Sequence, residues 1–190
     1  MSETRPEIPA GAQEILHFWF SEIETKRWFN SDPDFDTLLL SRFGKLHEQA
    51  AKGELDYWID QAPSALALII LLDQMSRNMY RGTAKAFAQD AKALDLSETA
   101  IAKGHDAATD ASARAFFYMP HMHCEDLAIQ DRCIDLIRSK LGEGSGNLPH
   151  AIWHKGVIAE FGRFPFRNKA LDRESTPEED AFLARENVPG

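Results

Sequence analysis

The longest aliphatic run of the chain, Ala65-Leu66-Ala67-Leu68-Ile69-Ile70-Leu71-Leu72, passes without a break into Asp73-Gln74-Met75-Ser76-Arg77-Asn78-Met79-Tyr80-Arg81. By periodicity alone such a run fits a buried strand or a buried helix. Ala and Leu outnumber the β-branched residues and good helix formers follow, so the pattern predicts a helix from about Ser64 to Tyr80. Its first half is apolar all round, which requires neighbours on every side and makes it the central element. The run is too short to cross a bilayer, which takes about 20 residues.

The other apolar stretches also repeat every three or four residues. Ala12 to Phe20 presents Ile15, Leu16, Trp19 and Phe20 and stops at the polar Ser21 to Lys26. Asp34 to Ala51 carries Phe35, Leu38, Leu39, Phe43, Leu46 and Ala50, with Gly53 as its stop. Ala84 to Ala102 is Ala-rich, with an expected break at Asp95 to Ser97 and closure at Gly104. Ser112 to Met119 ends at Pro120, which disfavours helix in the residue before it. Pro120 can in turn open a helix running to Leu141 through Leu127, Cys133, Ile134 and Ile137. Gly142 to Gly146 reads as a connector, without the Gly-Lys-Ser/Thr ending of a phosphate loop. A further helix spans Asn147 or Leu148 to Phe161. Thr176-Pro177-Glu178-Glu179 is a capping box that starts a last helix near Pro177 to Arg185, with Pro189 beyond it.

No segment alternates with period two between hairpin turns, so an all-α fold of seven to eight helices in antiparallel pairs is expected. At 190 residues and 44% hydrophobic content, residues 1–190 suffice for a single domain, with 1–10 as a loosely ordered tail. Ala86 to Asp90, Ala91 and Leu94 have a tetratricopeptide flavour, but no repeat of about 34 residues follows. The net charge of -9 disfavours nucleic acid and anionic membranes, both of which attract cationic surfaces. Cys124 and Cys133, placed on one helix, would lie about 13 Å apart, beyond disulfide reach. The polar residues 1–10 hold no signal-peptide core, and a cytoplasmic location is the default expectation.

Three polar clusters fall in apolar surroundings, where a charge costs several kcal/mol unless paired. On the central helix Asp73 and Arg77 share one face, as do Gln74 and Asn78, and Arg77 and Arg81. The bland reading is cross-linking of neighbouring helices; the sharper one is that Arg77 or Arg81 offers its planar fork to an anion. In Pro120-His121-Met122-His123-Cys124-Glu125 the alternating polar residues would spread around a helix and cannot alone hold a metal. Capping and packing explain His123 and Glu125 there, with acid–base chemistry by His123 as the functional alternative. In Phe161-Gly162-Arg163-Phe164-Pro165-Phe166-Arg167-Asn168, Gly162 permits a left-handed cap and Pro165 prevents continuation, so Arg163 and Arg167 sit on a stiff loop. Their bland role is to satisfy carbonyls and carboxylates such as Asp73 or Glu125.

His150 and His154 are four apart, but Ala151 stands where a zinc protease has its glutamate, and Glu-x-x-His pairs of di-iron bundles are missing. No metal and no cofactor is expected. His154 reads as a partly buried donor beside Trp153.

Leu72-Asp73-Gln74 with Arg77-Asn78-x-Tyr80-Arg81, Tyr118-x-Pro120 with His123 and Glu125, and His154 with Phe161-Gly162-Arg163-Phe164-Pro165-x-Arg167-Asn168 together resemble the bacterial domain-of-unknown-function family nine-two-four. The similarity runs from Phe18-Trp19-Phe20 to Ser175-Thr176-Pro177-Glu178-Glu179. It implies a tetratricopeptide-like helical fold and no particular reaction. The family commonly has Ser at the position of Cys124, which argues against a nucleophilic cysteine.

Two functions are expected to compete. In one, Asp73, Arg77, Arg81, His154, Arg163 and Arg167 bind an anionic small molecule while His123, oriented by Glu125 or Asp73, acts as acid or base. In the other, the chain is a helical module that binds a peptide or partner protein. A bounded, polar opening containing His123 and an arginine favours the first; an open concave face favours the second.

Overall fold

The computed structural model describes residues 7–28 and 32–185, and these are helical with no strand among them. The expected loose tail falls mainly on residues 1–6, and Pro189 lies past 185; both are outside the described residues. Ile8 already packs against the core, and helix α1 (Ala10–His17) follows, continuing through a π turn at Phe18–Glu22. Helix α2 (Pro33–Ala51) starts where Asp32 Oδ1 accepts from the amides of Asp34 and Phe35 at 3.1 and 3.2 Å, with Pro33 at its first position.

The central rod forms as expected. It consists of α3 (Ala62–Ile69), a π turn at Ile70–Met75 and α4 (Ser76–Met79), and Ala67 to Asp73 have no exposed surface. Helices α1 and α5 (Asp90–Ala102) pack on α3, and α2 packs on α4. The π turn widens the rod where Asp73 and Gln74 sit, the kind of local departure often found at functional positions.

Local differences from the pattern reading have physical causes. The break expected at Asp95–Ser97 is absent, because the buried Ser97 hydroxyl finds the carbonyl of Phe117 and the helix runs on. The interruption falls earlier, between a 3₁₀ turn at Ala84–Ala86 and Asp90. The stretch around Ala115 splits into α6 (Ala111–Arg114), a 3₁₀ turn at Ala115–Phe117 and α7 (Met119–Met122), with Pro120 inside α7. Helix α8 (Leu127–Leu141) does not start at Pro120 but after Asp126, whose Oδ1 caps the amide of Ile129 at 3.0 Å. His123, Cys124 and Glu125 therefore lie on the connection between α7 and α8, and the two cysteines do not share a helix; both are free thiols.

Helix α9 (Asn147–Phe161) folds back on α8 and ends at Gly162, whose φ of 69° places it in the left-handed region. A 3₁₀ turn at Pro165–Arg167 follows, and α10 (Pro177–Leu183) begins with the expected capping box of Thr176 and Glu179. A second apolar cluster of Val157, Ile158, Phe164 and Phe182 joins α9, this turn and α10, leaving Arg167 beside the α7–α8 connection. Among the described residues no helix is long and apolar enough to cross a membrane.

Candidate functional site

Asp73 has no exposed surface, so its charge must be met from inside. His123 supplies the first partner: its Nδ1 lies 2.7 Å from Asp73 Oδ1. A carboxylate only accepts, so Nδ1 carries the proton and the lone pair is on Nε2. Arg77, one turn along the rod, reaches the Asp73 carbonyl and lies 3.1 Å from its Oδ1, while the Gln74 amide donates to Oδ2.

The second carboxylate is Asp90, the first residue of α5. Arg77 Nη2 donates to both of its oxygens at 3.0 Å, and Arg167 Nη1 donates to Oδ2 at 2.9 Å. Arg167 Nη2 then donates to the backbone carbonyl of His123 at 2.9 Å. The contacts close a ring from Asp73 through Arg77, Asp90 and Arg167 to His123 and back to Asp73. Aromatic faces frame it: Arg167 lies 4.5 Å over the Phe87 ring and 4.7 Å over Phe164, and Arg77 lies 5.7 Å over Phe87. The ring meets solvent at one edge, where the side chains of Arg77, Asp90 and His123 are 21, 18 and 16% exposed.

His154 stands at this edge with its ring centroid 6.2 Å from that of His123 and 5.5 Å from that of Phe164. Its Nδ1 donates to the His150 carbonyl at 2.8 Å, which again leaves the lone pair on Nε2.

The electrostatics follow from burial and pairing. Desolvation works to raise the pKa of Asp73, but the Arg77 charge and then the His123 contact outweigh it and hold the carboxyl below its usual range. Burial lowers the pKa of His123, and the Arg77 charge lowers it further. Burial, helped by His123, brings His154 down to about 4. Both imidazoles are therefore neutral at pH 7. Burial and the neighbouring Arg77 also lower Arg167, the signature of two guanidinium groups kept close together.

Five of the residues singled out from sequence thus meet: Asp73, Arg77, His123, Arg167 and His154. The other three make their contacts elsewhere. Glu125 accepts from the Phe164 amide at 2.8 Å and from Arg173 at 2.8 and 3.0 Å, so the carboxylate that orients His123 is Asp73 and not Glu125. Arg163 pairs with Glu179 at 2.7 and 2.8 Å and donates to the Glu174 carbonyl, tying α10 to the end of α9. Arg81 pairs with Asp36 of α2 at 2.7 and 3.1 Å. Asp90 was missed because nothing in the Ala-rich stretch 84–102 marks its first helical acid as a partner of residues 13 before and 77 after it.

Among the described residues no group of three or more His, Cys, Asp or Glu side chains is arranged to hold a metal ion. The Cys124 thiol is pushed up by burial and by Asp126, which makes it a poor nucleophile. A surface hollow of about 390 Å³ lies along one face of α8, lined by Ala128, Asp131, Arg132, Asp135, Leu136 and Ser139, none of which belongs to the ring.

The model of a family described as bacterial protein of unknown function (DUF924) matches residues 15–187. The solved structure of ATU0120, a protein of unknown function from Agrobacterium tumefaciens, is similar to this chain with a TM-score of 0.87 and 43% sequence identity, over 94% of this chain and 99% of that one. No curated protein matches the chain.

Proposed function

We propose, for a chain that belongs to the DUF924 family of bacterial proteins of unknown function, that the ring of Asp73, Arg77, Asp90, Arg167 and His123 is a binding site for a small anionic molecule. His123 is its acid–base group. The observation that carries this reading is the 2.7 Å contact of His123 Nδ1 with the buried Asp73. It fixes one tautomer and leaves a neutral Nε2, the state a general base needs at neutral pH. Arg77 and Arg167 provide the charge that selects an anion, and His154 provides a second Nε2 acceptor beside the first. Arg163 and Arg81 belong to the scaffold in this reading, and Glu125 anchors the loop that carries His123.

The test is a thermal-shift screen of carboxylate- and phosphate-bearing metabolites against the wild type, with His123→Ala and Arg77→Gln screened in parallel. Stabilising compounds whose effect disappears in both variants support the site. A screen in which every stabilising compound acts equally on the variants, or in which none stabilises, counts against it.

A second reading, a tetratricopeptide-like module that binds a protein or peptide, draws support from the folding of α9 back on α8 and from the exposed Leu38, Leu40, Leu127 and Ile152, each 44–47% exposed. These apolar residues are spread over α2, α8 and α9, whereas the ring concentrates its charge in one place. The small-molecule reading is the stronger.

A further inference from the structure

We infer that Asp90 occupies the anion site of this protein as a built-in surrogate ligand, and that the anion recognised is a small carboxylate or phosphate that takes the place of its side chain. The inference rests on the small-molecule reading above and identifies what the two arginines bind.

The geometry around Asp90 is that of a bound carboxylate. One guanidinium nitrogen of Arg77 reaches both oxygens at 3.0 Å, and Arg167 adds a contact to Oδ2 at 2.9 Å from a different segment of chain. Arginine pairs of this kind bind carboxylate and phosphate oxygens through charge-assisted hydrogen bonds, here with one Arg77 nitrogen shared between both oxygens rather than a two-nitrogen fork. The inner half of the ring is committed differently: Asp73 has no exposed surface and is held by His123, Arg77 and Gln74 together. Asp90 has no partner besides the two arginines among the described residues, and its side chain is 18% exposed. It is the carboxylate that can leave.

Its position in the chain suits such a role. Asp90 is the first residue of α5 and follows the exposed stretch Gly82–Lys85, in which Gly82 has a φ of 75°. A rotation of its side chain toward solvent would take from Arg167 the one carboxylate it pairs with among the described residues and leave Arg77 with Asp73 alone. Arg167 also donates to the His123 carbonyl at 2.9 Å, so the site adjoins the loop whose His123 ring lies 6.2 Å from that of His154. Arg167 is the more deeply placed of the two arginines, its side chain 7% exposed against 21% for Arg77. When Asp90 turns away, Arg167 is left without a carboxylate beside an Arg77 that keeps only Asp73, and an anion with two or more oxygens is the group that relieves them.

The experiment measures binding of inorganic phosphate and of succinate by isothermal titration calorimetry, at fixed ionic strength set with chloride. It compares the wild type, Asp90→Asn, which keeps the side-chain shape, and Asp90→Asn combined with Arg77→Gln. Removing the competing carboxylate should tighten binding of at least one of the two anions by 10-fold or more in Asp90→Asn, and the added Arg77→Gln should abolish the gain. Thermal unfolding of Asp90→Asn, if the variant is too unstable for calorimetry, should show a rise in Tm on adding phosphate or succinate that chloride does not reproduce. Equal affinity in wild type and Asp90→Asn, a gain that survives Arg77→Gln, or no binding by either protein overturns the inference. A failure of this kind leaves the metabolite screen free to succeed through other contacts of His123, so the two outcomes are separable.

Discussion

Asp73 Oδ1 and His123 Nδ1, separated by fifty positions in the chain, lie 2.7 Å apart beneath the surface of the protein. The contact joins the widened turn of the central rod to the loop between α7 and α8. It positions an imidazole and gives a buried carboxylate one of its partners.

Asp73→Asn keeps the size of the side chain and removes the charge on which Arg77 and His123 converge. Breaking one partner of a buried pair costs about 3–5 kcal/mol, and urea denaturation is expected to show a loss of that order. A change below about 1 kcal/mol, the range of surface pairs, contradicts the assigned role. Because the folded pKa of Asp73 is depressed, its stabilising contribution is complete above its unfolded value and is lost as pH falls through the lower folded value. The wild type should therefore lose stability more steeply than Asp73→Asn below about pH 4.

His47 gives a different pH signature. It is 1% exposed, its Nε2 lies 2.7 Å from Ser76 Oγ, and burial, helped by Lys85, lowers its pKa to about 4. The unfolded chain takes up its proton near pH 6.5 and the folded one does not until about pH 4, so stability is complete above pH 6.5 and falls between those values. The loss for this one group is on the order of 3 kcal/mol. His47→Gln, which can still donate to Ser76, should flatten the fall between pH 7 and pH 4.5 as measured by urea denaturation; an unchanged slope refutes the assignment.

Arg163→Ala removes both contacts to Glu179, a carboxylate held at about 2 by that guanidinium and by the Thr176 amide. Glu179 keeps its contacts with Asn168 and the Thr176 amide, so the start of α10 loses its charged tie to the end of α9 and retains the neutral ones. The expected result is a lowered Tm with faster amide exchange over residues 176–183. The ring of NMR signals around His123 should stay in place. A large shift at His123 with unchanged exchange in α10 would return Arg163 to the ligand site.

Arg81→Ala tests the reverse case. Its pair with Asp36 is partly exposed, and such pairs contribute about 1 kcal/mol or less. Stability should change by no more than that, and the response to any ligand found by screening should be unaffected. A ligand lost in Arg81→Ala but kept in Arg77→Gln would invert the roles given to the two arginines.

The helical class, the central rod and the last helix were legible in the sequence because each rests on local signals. Ala-Leu richness marked residues 65–72, and the Thr176–Glu179 box marked the start of α10. The π turn at Ile70–Met75 was not legible, since no local preference distinguishes it from an α turn. Asp126 rather than Pro120 caps α8, because its side chain accepts from the Ile129 amide, and that places His123 and Glu125 on a loop instead of a helix. Within the site, Asp73 and Arg77 could be paired from their spacing on one helix face. Which of Asp73 and Glu125 would orient His123 could not, because Arg173 captures Glu125 from 48 positions away. Asp90 escaped for the same reason: long-range ion pairs carry no signature in the residues that flank them.

The most direct test is the ring of His123 itself, observed by long-range ¹H–¹⁵N correlation NMR across a pH titration, with His123→Ala to assign its signals. The account predicts a neutral ring at pH 7 with its proton on Nδ1 and a midpoint below the ordinary value near 6.5. A ring that carries its proton on Nε2 at pH 7, or that titrates at 6.5 or above, would show that Asp73 does not hold His123 as described.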